Sequence, residues 1–205
     1  MSLPTLGVLI SGRGSNLQAI VDAIADEQLA ARIGVVVSNI PGAFGLERAT
    51  AAGIPTVVVE HGQFESRDAF DATLVDVLRR YGVELVCLAG FMRLLGPRLV
   101  QAFPHAILNI HPSLLPSFPG LHGQRQALQH GVRYSGATVH MVTTELDAGP
   151  IVLQAVVPVH DDDTEDQLSA RILVEEHRIY PEAIARVLAG GWRIEGRRFV
   201  GRDAQ

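Results

Sequence analysis

The sequence predicts an α/β fold: a doubly wound, mostly parallel sheet with an added antiparallel pair and a long C-terminal helix. Three observations support this prediction. In the first half, short continuous runs of Val, Ile and Leu alternate with amphipathic segments, the pattern of parallel strands covered on both faces. After Gly120, two apolar runs follow each other with no helix between them. The last long segment has helical periodicity.

The first half contains five candidate strands, with a helix expected after each of the first four. Each strand is a short apolar run bounded by glycine, proline or polar residues. The strands are expected at Leu6–Ser11, Ile33–Ser38, Thr56–Val59, Leu85–Ala89 and Ala106–Ile110. The helices are expected at Asn16–Ala30, Phe44–Ala52, Ser66–Tyr81 and Pro97–Phe103.

The alternation of strands and helices ends in the second half, where a short helix is expected at Leu121–His130. Two strands are then expected at Gly136–Val142 and Ile151–Val157, joined by TTELDAGP. A parallel connection needs a crossover of a dozen or more residues, so this short connection predicts antiparallel neighbours.

The final helix is predicted within residues 161–191. Thr164, with Gln167 three residues later, indicates a capping box at its start. The acidic run Asp161–Asp163 suits the N-terminal end of a helix. It lacks the alternating ligands and the turn glycine of a calcium-binding loop, so a structural role is predicted for it.

Length, charge and cysteine content limit the classes of protein that fit. The chain has 205 residues, a net charge of −5 and a pI near 5.9, which predicts one domain without attraction to nucleic acid or membrane. Its single cysteine, Cys87, lies in an apolar run and is expected to be a buried, inert thiol in a reducing compartment. The N-terminal apolar run TLGVLI is too short for a signal peptide or membrane span, so a cytoplasmic protein is expected.

The stretch VLISGRGSNLQAI places a glycine-rich turn between a strand and a helix. Gly12 and Gly14 permit a sharp turn and a close approach of the backbone to a ligand. The amides of Gly14, Ser15 and Asn16 would open the helix, where N–H groups and the helix dipole favour an anion. The alternative is that Ser15 or Asn16 serves only as an N-cap.

The residues missing from this loop indicate which anion it would hold. A Walker loop would need the pattern G-x-x-x-x-G-K-[ST], which the chain lacks. The third glycine of a dinucleotide fingerprint is replaced by Leu17, and Ser38–Pro41 follow the second strand where an acidic residue is required. The loop therefore favours the monophosphate of a small molecule over NAD or ATP.

Asn109 and His111 lie two residues apart at the end of a predicted strand, so their side chains are expected on one face. Ligands of open α/β sheets bind at this end of the strands. Asp147 lies in the turn between the two later strands. An amide and a protonated imidazole can both donate to a developing oxyanion, and a nearby carboxylate favours the charged imidazole. These residue types suit attack by an amine on a carbonyl carbon.

Other roles for these residues remain open at this point. An Asn–x–His pair also occurs where two side chains simply hydrogen-bond a turn. The chain has no G-x-S-x-G elbow, so direct transfer between two bound substrates is preferred to a covalent intermediate. Eight histidines are present, but none forms an H-E-x-x-H motif, and no metal site is expected.

Four segments resemble the phosphoribosylglycinamide formyltransferase family, also called glycinamide ribonucleotide transformylases. They are LISGRGSN near the start, LAGFMRLL at 88–95, LNIHPSLLPSFPGLH at 108–122 and ELDAGPIVLQ at 145–154. NIHPSLLP with the later Asp–x–Gly–Pro is specific for enzymes that use 10-formyltetrahydrofolate, and the GRGSN loop narrows that group to this family. The similarity runs through almost the whole chain.

The resemblance implies transfer of a formyl group from 10-formyltetrahydrofolate to the amine of 5-phosphoribosylglycinamide, a step of purine synthesis. It implies that the loop Gly14–Asn16 binds the ribonucleotide phosphate. It assigns Asn109 as an oxyanion donor, His111 as the general acid, and Asp147 as the group that keeps the imidazole charged.

The resemblance also assigns residues that contact the substrates. Those expected to contact the folate are Arg67, Phe91, Met92, Arg93, Leu94, Leu95 and Asn109. Glu176 matches a glutamate near the ribonucleotide, and His122 matches a loop histidine near the substrate. Arg13 is asparagine in some relatives, and both residues suit the turn. Leu173 stands where some members carry a glutamine, so no substrate contact is assigned to it.

One formyltransferase domain is expected over residues 1–205, with a phosphate-binding half at about 1–104 and a catalytic and folate half at about 105–205. Formyl folate is expected as the co-substrate, without a metal. The expected partners are small molecules, and the expected state is a monomer or homodimer.

Two enzymes with related chemistry and one non-enzyme remain as alternatives. Methionyl-tRNA formyltransferase has an additional tRNA-binding domain, and the net charge of −5 offers no basic face for tRNA. Formyltetrahydrofolate deformylase shares the Asn–His–Asp set but resembles the chain less at the loop and has an extra N-terminal domain. A folate- or nucleotide-binding module without catalysis is the alternative from another class.

Overall fold

The computed structural model describes residues 2–201, and the chain divides after Asn109 into two compact units. The division falls within strand β5 (Ile107–His111). One strand therefore carries Asn109 at the end of the first unit and His111 at the start of the second. The expectation of a single domain over 1–205 stays a prediction, and its ends, residues 1 and 202–205, lie outside the described part.

The first unit is a sheet built from the five strands that the sequence predicts. Its strand order is β3-β2-β1-β4-β5, and the pairings described within it are parallel. The strands are β1 (Thr5–Ile10), β2 (Arg32–Ser38), β3 (Thr56–Val58), β4 (Leu85–Leu88) and β5 (Ile107–His111). Every residue of β1 and β4 is buried, as expected for continuous apolar strands in a covered sheet.

Helices connect these strands, as the alternating pattern predicts. In the described part of the unit they are α1 (Ser15–Ala25), α2 (Phe44–Ala51), α3 (Arg67–Arg80) and α4 (Pro97–Ala102). Helix α1 ends at Ala25, five residues before the predicted Ala30. After it the chain turns, and the Leu29 amide donates a 2.9 Å hydrogen bond to the Ala23 carbonyl. Helix α3 begins after Ser66, whose hydroxyl accepts a 3.1 Å hydrogen bond from the Ala69 amide.

The second unit contains α5 (Gly123–Gln129) and the antiparallel pair β6 (Tyr134–Met141) and β7 (Ile151–Pro158). The antiparallel pairing confirms the prediction from the short connection between these strands. Helix α6 (Glu165–Leu188) packs against both of them. The α/β class, the mostly parallel strands, the antiparallel pair and the long C-terminal helix are all confirmed.

The capping box at the start of α6 is confirmed. The Gln167 amide donates to the Thr164 hydroxyl at 3.2 Å, and the Thr164 amide donates to the Gln167 side chain at 2.8 Å. Two N–H groups that the helix leaves without intrahelical partners are thus satisfied reciprocally.

A terminal hairpin, β8 (Arg193–Glu195) and β9 (Arg198–Val200), was not predicted. Its strands have three residues each, which is too short for an alternating pattern to be recognised. The hairpin is held by tertiary contacts: the Trp192 ring lies 5.4 Å from the Phe199 ring, and the indole N–H donates to the Val187 carbonyl at 2.9 Å.

Cys87 is fully buried in β4, as predicted for an inert thiol. Within residues 2–201, none of the helices combines the length and the apolar character that crossing a bilayer requires.

An acid-sensitive ion pair stabilises the segment that directly precedes α6. Arg171 donates to both oxygens of Asp163 at 2.8 Å, and the His160 amide donates to one of them at 2.8 Å. The Arg171 hydrogen bonds, with that of the His160 amide, hold the pKa of Asp163 well below its usual range. Folding thus favours the ionised carboxylate. Its stabilising contribution is present above about pH 4 and is lost as the pH falls.

We therefore expect Asp163→Asn to lower the melting temperature at pH 7, and the difference from the unmodified protein to shrink at pH 3. The asparagine removes the charge that Arg171 recognises but keeps the size of the side chain. Thermal unfolding at both pH values checks this, with the exposed neighbour Asp162→Asn as the control. Equal differences at pH 7 and pH 3 would contradict an ionic contribution.

Candidate active site

His111 is the last residue of β5, and its side chain is buried. Its Nε2 lies 2.9 Å from the carbonyl oxygen of Phe118, and its Nδ1 lies 3.5 Å from Oδ2 of Asp147. Because a carbonyl oxygen can only accept, the Nε2 contact requires a proton on that nitrogen. The ring faces an oxygen atom at each nitrogen, and its doubly protonated form can donate to both.

Asp147 lies in the connection between β6 and β7, and its side chain is about 10% exposed. Its Oδ2 accepts a 2.7 Å hydrogen bond from the Gly120 amide. Its backbone has a φ of 48°, the left-handed region that residues with a side chain rarely adopt. The carboxylate is thus directed toward His111 by a turn that costs conformational energy, a feature that concentrates at functional sites.

A glycine two residues later is required by this turn. A Cβ atom on Gly149 would lie 1.8 Å from the carbonyl oxygen of Met141, which is backbone and cannot move aside. The glycine of the Asp–x–Gly–Pro sequence is therefore required on steric grounds, separately from the role of the aspartate.

A second buried histidine, His140, contacts the same carboxylate. Its Nε2 lies 3.6 Å from Oδ1 of Asp147, and its Nδ1 lies 3.0 Å from the Met141 carbonyl oxygen. Burial lowers the pKa of His140, against the opposing effects of the Met141 carbonyl and the Asp147 carboxylate. His140 therefore favours the neutral form. The sequence interpretation did not include this residue, although its place near the end of β6 puts it beside the turn that carries Asp147.

The loop after β5 is anchored by short hydrogen bonds. The Ser113 hydroxyl donates to the Ser117 carbonyl at 2.6 Å, and the Thr138 hydroxyl donates to the Ser113 carbonyl at 2.7 Å. Thr138 also accepts from the Leu115 amide at 3.1 Å. These contacts hold the loop that presents the Phe118 carbonyl to His111.

Two further residues in or next to this loop have left-handed backbones. Phe118 has a φ of 55° and His122 a φ of 61°. His122 is the N-cap residue of α5, and its side chain is exposed. Backbone conformations of this kind persist only where the surrounding contacts enforce them.

Asn109 precedes His111 by two residues on β5 and pairs with Leu88 of β4. Alternate residues of a strand project from the same face, so the two side chains leave β5 on one side. Asn109 is half-buried, whereas His111 is buried. The predicted arrangement of the pair on one strand is confirmed, while its catalytic role stays a prediction.

The predicted phosphate loop forms a tight turn between β1 and α1. Gly14 is the N-cap residue of α1 and has a φ of 70°. A Cβ atom at this position would lie 2.6 Å from the Cα atom of Gly45. Gly14 is therefore required both by its conformation and by the close approach of α2. The alternative that Ser15 or Asn16 is the N-cap is wrong.

Gly12 differs from Gly14, contrary to the expectation that both glycines permit the turn. Its backbone is outside the left-handed region, and a Cβ atom there would meet open space. The loop is additionally held by Arg48, whose Nε donates to the Arg13 carbonyl at 3.0 Å.

The segment Phe91–Leu95, assigned to folate by resemblance, follows β4, which pairs with β1 in the first unit. Its three middle residues are exposed, and the residues at its two ends are buried. Met92 and Leu94 are 66% and 52% exposed, whereas Phe91 and Leu95 are buried. The exposed apolar pair offers a surface that a flat, partly apolar ligand can cover.

Ser11, which the sequence analysis did not single out, connects this segment to the predicted phosphate loop. The Met92 amide donates to the Ser11 hydroxyl at 2.8 Å, and that hydroxyl donates to Asn39 at 2.5 Å. Ser11 directly follows β1, so a hydroxyl at this end of the strand fixes the start of the neighbouring segment.

The remaining assigned residues lie on helices. Arg67 is the first residue of α3 and is exposed. Glu176 lies on α6 and is buried, and its assignment to the ribonucleotide stays a prediction. Leu173 lies one turn before it on the same helix and is half-buried. Across residues 2–201, no group of three or more His, Cys, Asp or Glu side chains is arranged to hold a metal ion.

A parallel α/β sheet in which one strand ends on a histidine held by a carboxylate is an arrangement suited to acyl-group transfer without a covalent intermediate. Residues 6–184 match the formyl transferase family, and the chain belongs to that family. Phosphoribosylglycinamide formyltransferase of Escherichia coli (strain K12) is 49% identical over 190 residues, which cover 93% of this chain and 87% of that protein.

Two further comparisons extend this similarity. The trifunctional purine biosynthetic protein adenosine-3 of Drosophila melanogaster is 49% identical over 90% of this chain. The chain spans only 14% of the length of that relative. The crystal structure of glycinamide ribonucleotide transformylase 1 from Symbiobacterium toebii has a TM-score of 0.96 and 54% identity, covering 98% of this chain and 95% of that chain.

Proposed function

We propose that the protein transfers the formyl group of 10-formyltetrahydrofolate to the amine of 5-phosphoribosylglycinamide, as a step of purine biosynthesis. The products are formylglycinamide ribonucleotide and tetrahydrofolate. The observation that carries the proposal is the buried contact between His111 and Asp147 at the end of β5, in a chain of the formyl transferase family. The 49% identity to the Escherichia coli enzyme supports the choice of acceptor.

In the proposed mechanism, the amine attacks the formyl carbon directly. The electron pair of the carbonyl bond moves onto oxygen, and Asn109 and His111 stabilise that oxyanion as hydrogen-bond donors. The amine must then lose a proton to a carboxylate or an ordered water. No covalent enzyme intermediate is required.

Collapse of the intermediate breaks the bond between the formyl carbon and the folate nitrogen. His111 donates the proton that this nitrogen takes as it leaves, and Asp147 orients the ring. The Nε2 proton is held by the Phe118 carbonyl at 2.9 Å. Donation from Nε2 to a substrate therefore requires that this hydrogen bond open or be shared.

The substrates are assigned to the residues that the family resemblance indicates. Gly14, Ser15 and Asn16 bind the ribonucleotide phosphate, supported by the left-handed turn at Gly14 and the start of α1. Glu176 binds near the ribonucleotide. The residues proposed to contact the folate are Arg67, Phe91, Met92, Arg93, Leu94, Leu95 and Asn109.

The proposed partners are therefore two small molecules, with formyl folate as co-substrate and no metal. The proposed location is the cytoplasm, and the proposed state is a monomer or homodimer. Analytical ultracentrifugation of the purified protein distinguishes the two states.

The proposal is tested by following the ultraviolet absorbance of 10-formyltetrahydrofolate mixed with the protein. We expect a change when 5-phosphoribosylglycinamide is added and none in its absence. Loss of the formyl group without an acceptor would identify a deformylase instead. No change in either mixture would contradict the proposed catalysis and favour the alternative of a folate- or nucleotide-binding module.

The phosphate loop gives a specific prediction. Gly14→Ala should raise KM for the ribonucleotide by about tenfold or more, because a Cβ atom would lie 2.6 Å from the Gly45 backbone at a φ of 70°. Distortion of the turn moves the amides that are proposed to bind the phosphate. Steady-state kinetics with each substrate varied in turn measure the effect.

Gly12→Ala is the matched control, since a Cβ atom there meets open space. It should change KM for the ribonucleotide far less than Gly14→Ala does. Equal effects of the two substitutions would show that the loop tolerates no added atom, which would contradict the specific requirement at position 14.

A further inference from the structure

The buried carboxylate of Asp71 lies between the two parts of the first unit that are assigned to the folate. Asp71 is on α3, four residues after Arg67, and its side chain is fully buried. Its Oδ2 accepts a 2.7 Å hydrogen bond from the Gly96 amide. Gly96 is the N-cap residue of α4 and directly follows the segment Phe91–Leu95. One carboxylate thus connects the helix that carries Arg67 to the end of that segment.

The contact between Asp71 and Gly96 leaves no spare room. A Cβ atom on Gly96 would lie 2.5 Å from Oδ2 of Asp71 and 3.4 Å from Cδ of Arg67. The φ of Gly96 is −88°, which any residue adopts, so the glycine is required by close approach and not by its conformation. The Arg67 side chain runs beside the same contact, and its charge acts to lower the pKa of Asp71.

Burying a carboxylate is costly unless it is hydrogen-bonded or paired. Here burial raises the pKa of Asp71, and the hydrogen bond from the Gly96 amide acts in the opposite direction. A carboxylate at the start of a helix also interacts favourably with the helix dipole. Asp71 therefore supplies from α3 the capping group that Gly96, which has no side chain, cannot supply to α4.

Two neighbouring contacts connect α3 to the same stretch of chain. The rings of Phe70 and Phe91 stack with centroids 6.5 Å apart. Asp68 accepts two hydrogen bonds from the Arg98 guanidinium, at 2.8 and 2.7 Å, but both side chains are exposed. Exposed pairs contribute little, whereas a buried hydrogen bond is costly to break, because its partners are left unsatisfied. Of the two polar contacts, the one made by Asp71 is thus decisive.

We propose that Asp71 is a positioning residue for the formyl-folate site, which sets the backbone of Phe91–Leu95 relative to Arg67 through the Gly96 amide. This inference rests on the proposed function, because it assumes that these residues contact the folate. Asp71 touches no substrate in this role. Its loss displaces the residues that do.

The first test compares Asp71→Ala with Asp71→Asn. The alanine variant should raise KM for 10-formyltetrahydrofolate about tenfold or more, with kcat and KM for the ribonucleotide within about threefold. The asparagine variant should recover much of the loss, because its side-chain oxygen still accepts from the Gly96 amide. Asp68→Asn, which removes only the exposed pair, should leave the folate KM within about threefold.

The second test approaches the contact from its other side. Gly96→Ala should raise the folate KM as Asp71→Ala does, since its methyl group meets the carboxylate. In the double variant the carboxylate is absent, so adding Gly96→Ala to Asp71→Ala should cost little more. If the two substitutions instead multiplied each other's effect on the folate KM, the proposed role of this contact would be overturned. A folded Asp71→Ala protein with an unchanged folate KM would overturn the positioning role.

Amide hydrogen exchange separates this inference from the proposed function. In the protein without substrates, Asp71→Ala should speed exchange within residues 91–96 while leaving the amides of β1 and β4 protected. Unchanged exchange at 91–96 would overturn the anchoring role, whatever the enzyme assay shows. Faster exchange throughout the first unit, with all kinetic constants worsened together, would reduce Asp71 to a general structural residue.

Discussion

His111→Ala lowers kcat by about 10²- to 10⁴-fold if His111 donates the proton to the leaving folate nitrogen. Alanine removes both ring nitrogens, so it removes the proposed general acid and one of the two proposed oxyanion donors. Binding of the folate should remain measurable, because the residues assigned to the folate are otherwise unchanged. Steady-state kinetics and equilibrium binding, for example by fluorescence quenching, separate the two quantities.

His130→Ala is the matched control for this substitution. His130 is exposed, and its ring lies 5.2 Å from the ring of Phe118, the residue whose carbonyl contacts His111. The control therefore disturbs the same loop without removing the proposed acid, and we expect kcat within about threefold of the unmodified protein. Turnover of His111→Ala at the level of this control would exclude the assigned role.

Asp147→Asn should lower kcat about 10²-fold or more while leaving the fold intact. The asparagine has the same shape, and its side-chain oxygen can still accept the 2.7 Å hydrogen bond from the Gly120 amide. It cannot supply the negative charge that His111 faces at 3.5 Å. The loss thus reports the charge rather than the packing, and thermal unfolding should show only a small change.

The exposed Asp162→Asn serves as the control for loss of an acidic residue in the same unit. Combining His111→Ala with Asp147→Asn adds a second check. If the carboxylate acts through the imidazole, the double variant should be little worse than His111→Ala alone. Fully multiplying losses would mean that Asp147 acts on the substrate by a separate route.

Most of the fold follows from local sequence patterns. Every residue of β1 and β4 is buried, and such mostly apolar, continuous strands are typical of a parallel sheet covered on both faces. The capping box at Thr164 was predictable because both of its partners lie within one helical turn. The hairpin of β8 and β9 was not predictable, because three-residue strands are held by contacts such as Trp192 with Phe199.

The candidate site was likewise predictable from the sequence only in part. The types and spacing of Asn109, His111 and Asp147 were sufficient to suggest their chemistry and their approximate place. Their partners were not visible in the sequence. The Phe118 carbonyl and the Gly120 amide are backbone groups, which every residue has and which no motif marks. His140 lies in an ordinary strand pattern, and only the folded turn places it beside Asp147.

The sequence by itself determined the α/β class and the order of the elements up to the long C-terminal helix. These properties depend on apolar periodicity, capping and turn chemistry, which act over a few neighbouring residues. The tertiary structure decided which atoms meet: Asp147 with two imidazoles, Asp71 with the Gly96 amide, and Gly14 with Gly45. Such contacts join residues 25 to 36 positions apart in most of these cases. Their distances depend on how whole helices and strands pack, which no local pattern specifies.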